Sequence, residues 1–153
     1  MAKGFMYVVA IIDWCSWYGL SWQLSNTREP TCCLVALDLA LVQGEPMIFN
    51  TDQGVQFTSL AFTGRLARAG IAISMDGRGR ARDNIFVERL WRSVKYEAIY
   101  LKDYTTVPAL DEGLARYVHF DNHERPHQSL AYRTPAEVHL KQQGYPASSP
   151  PYF

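Results

Sequence analysis

The sequence predicts one α/β domain with a mixed sheet flanked by helices, and three observations support this fold class. The chain has 153 residues, of which 48% are hydrophobic, so it can bury one core of ordinary size. Segments rich in β-branched and aromatic residues alternate with segments that have helical spacing. In the middle of the chain the order strand, helix, strand favours a parallel pair joined by a helical crossover.

A β-hairpin is predicted first. Residues 5–12 are apolar and indicate a buried strand that ends at Asp13. Residues 18–24 form the return strand, with the turn around residues 14–17. The hairpin supplies the antiparallel part of the mixed sheet.

The parallel part follows. Apolar residues at helical spacing predict a helix from Pro30 that stops at Gly44. Strands are then predicted at residues 47–51 and 71–75, and between them lies a helix capped by Thr58 or Ser59.

The second half of the chain is predicted to be helical. A long helix spans residues 83–101, and its apolar face is formed by Val87, Leu90, Trp91, Val94 and Ala98. Further helices are expected at residues 108–122 and from Thr134 onward. We assign residues 1–140 to the domain and residues 141–153 to a flexible tail.

Composition excludes several classes of protein. No apolar run reaches the roughly 18–20 residues of a membrane span, and the apolar start lacks the cleavage site of a signal peptide. Three cysteines, two of them adjacent, suit a reducing compartment better than a disulfide framework. These features predict a cytoplasmic protein without a membrane partner.

The net charge of zero conceals an uneven distribution. Residues 1–60 carry two basic and five acidic side chains, whereas residues 76–102 carry seven basic and four acidic ones. A local basic surface is therefore compatible with a neutral total, and nucleic acid remains a possible partner.

Two carboxylates are candidates for chemistry. Asp52 follows a buried strand at a glycine-containing loop, and Glu88 lies on a helix beside Arg92 and Lys95. The alternatives are a turn-forming aspartate and a surface ion pair between Glu88 and Arg92. Two carboxylates on different elements can also converge on a hard cation, next to basic residues that suit a phosphodiester.

Two motifs make a family resemblance specific. The segment 50–59 (NTDQGVQFTS) contains Asp52, and after 35 intervening residues Glu88 follows within the segment 83–97 (DNIFVERLWRSVKYE). Together with the segment 122–130 (NHERPHQSL) and Thr134 to Glu137, they resemble the catalytic core of insertion-sequence transposases and retroviral-type integrases. The similarity covers roughly residues 4–140.

This resemblance implies an RNase H-like fold and metal-dependent DNA strand transfer in DNA transposition and integration. The family uses an Asp-Asp-Glu triad that holds two divalent cations, Mg²⁺ or Mn²⁺. By the match, Asp52 is the second acid and Glu88 the third, and residues 77–80 form the active-site loop. The implied DNA-binding residues are Gln53, Arg82, Asn84, Arg89, Arg92, Lys95 and Arg125.

The first acid of the triad has no counterpart. In the family it lies on the central strand of the sheet, just before the residues that match Lys3 to Phe5, so we expect a core truncated at its N-terminus. Without that strand, two strand edges would be left unpaired. Asp13 is an alternative first acid, but it matches a residue at the end of the family's second strand.

Two further alternatives remain open. The chain could be a catalytically dead transposase remnant that binds DNA or pairs with full-length transposase, instead of a homo-oligomeric enzyme acting at the bacterial nucleoid. His119 and His123, four residues apart on one helix, could bind zinc, or the C-terminal histidines could face solvent or DNA.

Overall fold

The computed structural model describes residues 6–51, 54–75, 88–99 and 104–144. In chain order, these ranges contain β1 (Tyr7–Ile12), β2 (Gly19–Ser25), α1 (Pro30–Gln43), β3 (Ile48–Thr51), α2 (Leu60–Arg68), β4 (Ala72–Met75), α3, α4 (Val107–His123) and α5 (Pro135–Gly144). Helix α3 comprises α-helical residues 88–93 and a π-helical continuation, Val94–Ile99. The predicted order of strands and helices is confirmed, and the boundary predicted after residue 140 falls within α5.

The hairpin of β1 and β2 is antiparallel, as predicted, and contains a β-bulge. Ile11 pairs with Ser21 and Ile12 pairs with Gly19, so Leu20 is the extra residue. Leu20 packs in the core on the α1 side, whereas Trp22, two residues later, packs on the opposite side. The bulge thus allows one short strand to supply apolar side chains to both faces.

Strands β3 and β4 are parallel and are joined by α2. Ile48 pairs with Ala72, and the register continues to Thr51 with Met75. Helix α2 begins after Ser59, whose Oγ accepts a hydrogen bond from the Phe62 N–H at 3.3 Å. Both the helical crossover and the serine cap agree with the sequence prediction.

The two strand pairs form separate sheets within the described residues. One sheet contains β1 and β2, and the other contains β3 and β4. The central strand implied by the family resemblance has no counterpart among the residues described. The sheets instead share a core through the helix α1, which packs against the hairpin and against α2.

Two apolar cores cover the two faces of the hairpin. The first joins the hairpin to α1, α2, β3 and β4; its buried members are Ile11, Leu20, Cys33, Ala36, Leu37, Ala40, Leu41, Phe49, Phe62, Leu66 and Ile71. The second joins it to α3 and α4; its buried members are Val94, Ala98, Leu110, Leu114 and Tyr117. The hairpin is therefore the layer between two groups of helices.

Helix α3 packs as predicted but changes its winding. Leu90, Trp91, Val94 and Ala98 belong to the second core, while Val87 lies outside the described residues. From Val94 the backbone is π-helical, where an α-helix was expected to continue to residue 101. The wider turn keeps Val94 and Ala98 buried while the three residues between them remain exposed.

Buried polar groups attach the hairpin to helices on both sides. The Asn122 side chain accepts from the Gly19 N–H at 2.8 Å and donates to the Gly19 carbonyl at 3.0 Å. On the other face, Ser21 Oγ donates to the Ala36 carbonyl at 2.7 Å. The Asn122 bonds satisfy the backbone groups of Gly19 at the bulge, where the strand ladder is interrupted. No helix in the described ranges is both long and apolar enough to cross a membrane.

Two mid-helix glycines offer a matched test of this packing. A Cβ at Gly113 in α4 would lie 2.0 Å from the Tyr104 hydroxyl oxygen, whereas a Cβ at Gly64 in α2 would meet nothing within 4 Å. Because alanine favours a helix over glycine by about 1 kcal/mol, Gly64→Ala should raise the free energy of unfolding by up to that amount. Gly113→Ala should lower it by about 1–3 kcal/mol through the clash with the Tyr104 ring. Urea unfolding of both variants measures this, and equal stabilisation by both would contradict the packing of Tyr104 on α4.

Candidate active site

Glu88 is the first described residue of α3, and its side chain is exposed. Among the ion pairs of the described residues there is none between Glu88 and Arg92, so the predicted surface pair is not formed. The Arg92 guanidinium lies 6.0 Å from the centre of the Tyr96 ring instead. The Glu88 carboxylate therefore retains oxygen lone pairs that could bind a cation.

Three predicted DNA-binding residues share the exposed side of α3. Arg89, Arg92 and Lys95 are all exposed, and the apolar face of the same helix is buried in the second core. Exposed cations next to an exposed carboxylate form an electrostatic arrangement that can attract a phosphate chain.

Asp52, the other predicted acid, lies outside the described residues. The same is true of the predicted active-site loop, residues 77–80, and of the predicted DNA-binding residues Gln53, Arg82 and Asn84. The strand that leads to Asp52 is described as far as Thr51, which is buried. On that strand, Asn50 Oδ1 is buried and has no hydrogen-bond partner among the described residues. A carbonyl-type oxygen of this kind is a ligand that Mg²⁺ or Mn²⁺ accepts, so the described donors, Asn50 and Glu88, are compatible with a hard cation.

Arg125 is partly buried and is held by several side chains. It forms an ion pair with Glu97 of α3, and a second, at 3.3 Å, with Asp121 of α4. It also donates to the Tyr117 hydroxyl at 3.3 Å and lies 5.2 Å from the centre of the Phe120 ring. These bonds join α3 to α4, and the DNA contact predicted for Arg125 stays a prediction.

Burial changes the proton affinities around this guanidinium. Burial raises the pKa of Asp121, and the charges of His127 and Arg125 offset only part of that increase. Burial and the Asp121 charge together raise the pKa of Tyr117 to about 12. Tyr117 is therefore a neutral hydroxyl at physiological pH.

Asp13, the alternative first acid, is a buried structural residue. It is 1% exposed, and its carboxylate accepts hydrogen bonds from Ser16 Oγ at 2.5 Å, from the Cys15 N–H at 3.2 Å and from His139 Nδ1 at 3.0 Å. The His139 ring stacks on Tyr18, with ring centres 4.6 Å apart. The interpretation of Asp13 as a metal ligand is not supported, because its oxygens are already used inside the fold.

The hydrogen bonds of Asp13 also set its proton affinity. Burial raises the pKa of this carboxyl, but the bonds from His139, Ser16 and Cys15 outweigh burial, and the pKa lies below its ordinary value of 3.8. Because the carboxylate is ionised, His139 Nδ1 carries the proton and donates it. Local sequence gave no signal for this pair, since the two residues are 126 positions apart.

The remaining histidines form no metal site in the described part of the chain. The His119 and His123 rings are 4.7 Å apart, and no group of three or more His, Cys, Asp or Glu side chains able to hold a metal occurs among the described residues. His127 lies 3.6 Å from Asp121 through its Nε2 atom.

Comparison with known proteins identifies the family. Residues 1–81 match the integrase core domain family, and residues 69–135 match a second description of an integrase core domain. The chain belongs to the integrase core domain family. A relative is the transposase for insertion sequence element IS629 of Shigella sonnei, which is 32% identical over 138 residues; the alignment covers 89% of this chain and 47% of that protein. The chain spans about half the length of the curated relatives it matches.

Solved structures show the same fold. The integrase catalytic core domain of HTLV-2, in complex with magnesium in a dimeric form, aligns with a TM-score of 0.72 and 21% identity, covering 90% of this chain and 87% of that one. The catalytic core domain of BIV integrase aligns with a TM-score of 0.72 and 19% identity, covering 91% and 88%. The predicted α/β, RNase H-like fold class of this integrase core chain is confirmed.

The Asp13 cluster generates a pH prediction. Since the folded-state pKa of Asp13 is lowered, its ionisation stabilises the fold fully above the unfolded pKa, and this contribution is lost as the pH falls below about 4. We expect Asp13→Asn to lower the free energy of unfolding at pH 7 by about 1–3 kcal/mol. In the variant, the free energy of unfolding should also decrease less as the pH is lowered from 7 to 3. Chemical unfolding between pH 3 and 7 measures both effects.

Asp38→Asn is the control for that experiment. Asp38 also pairs with a basic side chain, Arg65 at 2.8 Å, but its side chain is 58% exposed. Its loss should cost at most about 1 kcal/mol, as for other surface pairs. If both variants lost the same stability, the Asp13 cluster would not be the structural tie described above.

Proposed function

We propose that this chain is a transposase catalytic core that joins DNA ends to target DNA, with Asp52 and Glu88 as two of its metal ligands. The observation that carries this proposal is the exposed face of α3, which holds Glu88, Arg89, Arg92 and Lys95 and where Glu88 has no ion pair among the described residues. Membership of the integrase core domain family supports the same activity.

The proposed reaction is a transesterification. A 3′-hydroxyl of a transposon end attacks a phosphorus atom of the target strand, a new phosphorus–oxygen bond forms, and the bond to the target 3′-oxygen breaks. A divalent cation held by Asp52 and Glu88 would lower the pKa of the attacking hydroxyl and neutralise charge on the leaving oxygen. Arg92 and Lys95 would hold the DNA backbone without reading its sequence.

A second candidate function is a catalytically inactive core that binds DNA or pairs with a full-length transposase. It is favoured by the burial of Asp13, which leaves no first acid among the described residues. Both functions place the protein on DNA, and therefore at the bacterial nucleoid when it acts. They differ in whether the carboxylates share a cation.

Calorimetric titration with Mn²⁺ and Mg²⁺ separates these two functions. For an enzyme, we expect Asp52→Asn and Glu88→Gln each to weaken Mn²⁺ binding by roughly tenfold or more, since even supporting residues of metal sites contribute about 10–100-fold. Glu112→Gln removes an exposed carboxylate on α4, whose partner is Arg116 at 3.6 Å, and should leave the affinity unchanged. Identical titrations for all four proteins would exclude the shared site and favour the inactive core.

The DNA-binding side of the proposal is tested by salt dependence. We expect Arg92→Ala and Lys95→Ala each to reduce the slope of log affinity against log salt concentration by about 0.9, the value for one lost phosphate contact. Arg116→Ala, on α4, should not change the slope. Arg125→Ala should mainly lower the free energy of unfolding and should change the slope little. Fluorescence anisotropy with a labelled duplex measures the affinities. A slope unaffected by either α3 variant would exclude this face as the phosphate contact.

A further inference from the structure

A cavity of about 390 Å³ lies beside α3. It is formed by the end of β1, the hairpin turn, α3, the end of α4 and the turn that follows α4. A cavity of this volume is within the range of small-molecule sites. We call it the Asp121 cavity, after the carboxylate at its base.

The Asp121 cavity has a buried polar base and an exposed mouth. Asp121 and Tyr117 are 6% and 8% exposed, whereas Arg89, Gln128 and Ser129 are exposed. One wall is apolar and is made by Ile12, Trp17 and Leu90. A ligand that fits this arrangement has a flat, largely apolar body against the wall and hydrogen-bonding atoms at its inner edge. It carries a negative charge at the mouth, where Arg89 lies.

The base of the cavity favours a neutral group that donates hydrogen bonds. Asp121 offers carboxylate oxygens, and its charge is offset by Arg125, which also lines the cavity and pairs with it at 3.3 Å, so the base of the cavity matches a ligand edge that carries no net charge. His127 Nε2 is buried and has no hydrogen-bond partner among the described residues, although it lies 3.6 Å from Asp121. Both groups can therefore exchange hydrogen bonds with an inserted ring.

The position of the polar edge is rigid. The His127 N–H donates to the Arg133 carbonyl at 3.1 Å, and the His127 carbonyl accepts from the Tyr132 N–H at 2.9 Å. The Trp17 ring lies beside His127, with ring centres 6.1 Å apart; the Trp17 N–H donates to the Asp13 carbonyl at 2.7 Å, and Trp17 has a φ of 65°. A bulky residue held at positive φ is uncommon and indicates that the surrounding turn fixes it there. A preformed site of this kind costs little to order on binding.

We infer that the Asp121 cavity binds a single unpaired nucleotide, with its base against Trp17 and its phosphate at Arg89. A nucleobase combines an aromatic face with a neutral hydrogen-bonding edge, and the nucleotide carries its charge on the phosphate, which matches the gradient from base to mouth. Asp121 accepts best from an exocyclic amino group, so cytosine and adenine are preferred to thymine. The nucleotide comes either from an unpaired DNA end or from the free pool, and the first source rests on the proposed function.

Calorimetry with free nucleotides tests the site without DNA. We expect dCMP and dAMP to bind at least about fivefold more tightly than dTMP, and deoxyribose 5-phosphate to bind least, because the base supplies the contacts in the cavity. Ser93→Phe places a ring in the cavity from α3 and should abolish binding, whereas Ala67→Phe adds the same ring at an exposed site on α2 and should not. Asp121→Asn, which keeps the shape, should remove the preference over dTMP.

A second arm uses duplexes of one length with either paired or frayed ends, measured by anisotropy. A preference for the frayed end that Ser93→Phe removes identifies DNA as a source, and nucleotide binding without that preference identifies the free pool. If neither ligand responds to Ser93→Phe and Asp121→Asn in protein whose unfolding midpoint shows it to be folded, the inference is wrong. If the unmodified protein bound neither duplex, this would count against the proposed function. The titrations with free nucleotides would still show whether the Asp121 cavity binds a nucleotide.

Discussion

The burial of the β1–β2 hairpin on both faces is the constraint on which the rest of the structure depends. Helices α1 and α2 cover one face and α3 and α4 cover the other, and in the turn of the hairpin Asp13 and Ser16 are buried while Cys15 is exposed. A partly buried turn contains backbone and side-chain polar groups that water cannot reach. The Asp13 carboxylate satisfies them, and through His139 it also fixes α5 against the turn. Helix α5 is thus attached to the hairpin turn as well as to α4, against which it also packs.

The same constraint determines what α3 can present to solvent. Its apolar side chains are committed to the hairpin and α4, so Glu88, Arg89 and Arg92 must face outward. The ion pair between Arg125 and Glu97 then fixes the far end of α3 to α4. An exposed carboxylate is useful for metal binding only if its helix is rigidly placed, and here the rigidity comes from buried contacts on the opposite side of the helix.

Periodic elements were predictable from the sequence, and contacts between distant residues were not. Runs of β-branched, aromatic and other apolar residues predicted strands at residues 5–12 and 47–51, and the structure has them at residues 7–12 and 48–51. The Asp13–His139 pair spans 126 residues and the Arg125–Glu97 pair spans 28, and neither has a local pattern. The sequence therefore gave no indication that Arg125 pairs with Glu97. The π-helical end of α3 and the bulge at Leu20 were missed because both depend on packing between elements.

Carboxylates of one chemical type have different roles in this chain because their surroundings differ. Asp13 is buried and has donors on both oxygens, so its proton affinity is lowered and its lone pairs are used. Asp121 is buried with less compensation, so its proton affinity is raised, and its oxygens line a cavity. Glu88 is exposed and has no ion pair among the described residues. A count of charged residues cannot distinguish these three carboxylates. A net charge of zero is therefore compatible with a basic face on α3 and with two buried aspartates, Asp13 and Asp121. The availability of oxygen lone pairs, which only the folded structure reveals, separates a structural carboxylate from one that can bind a metal or a ligand.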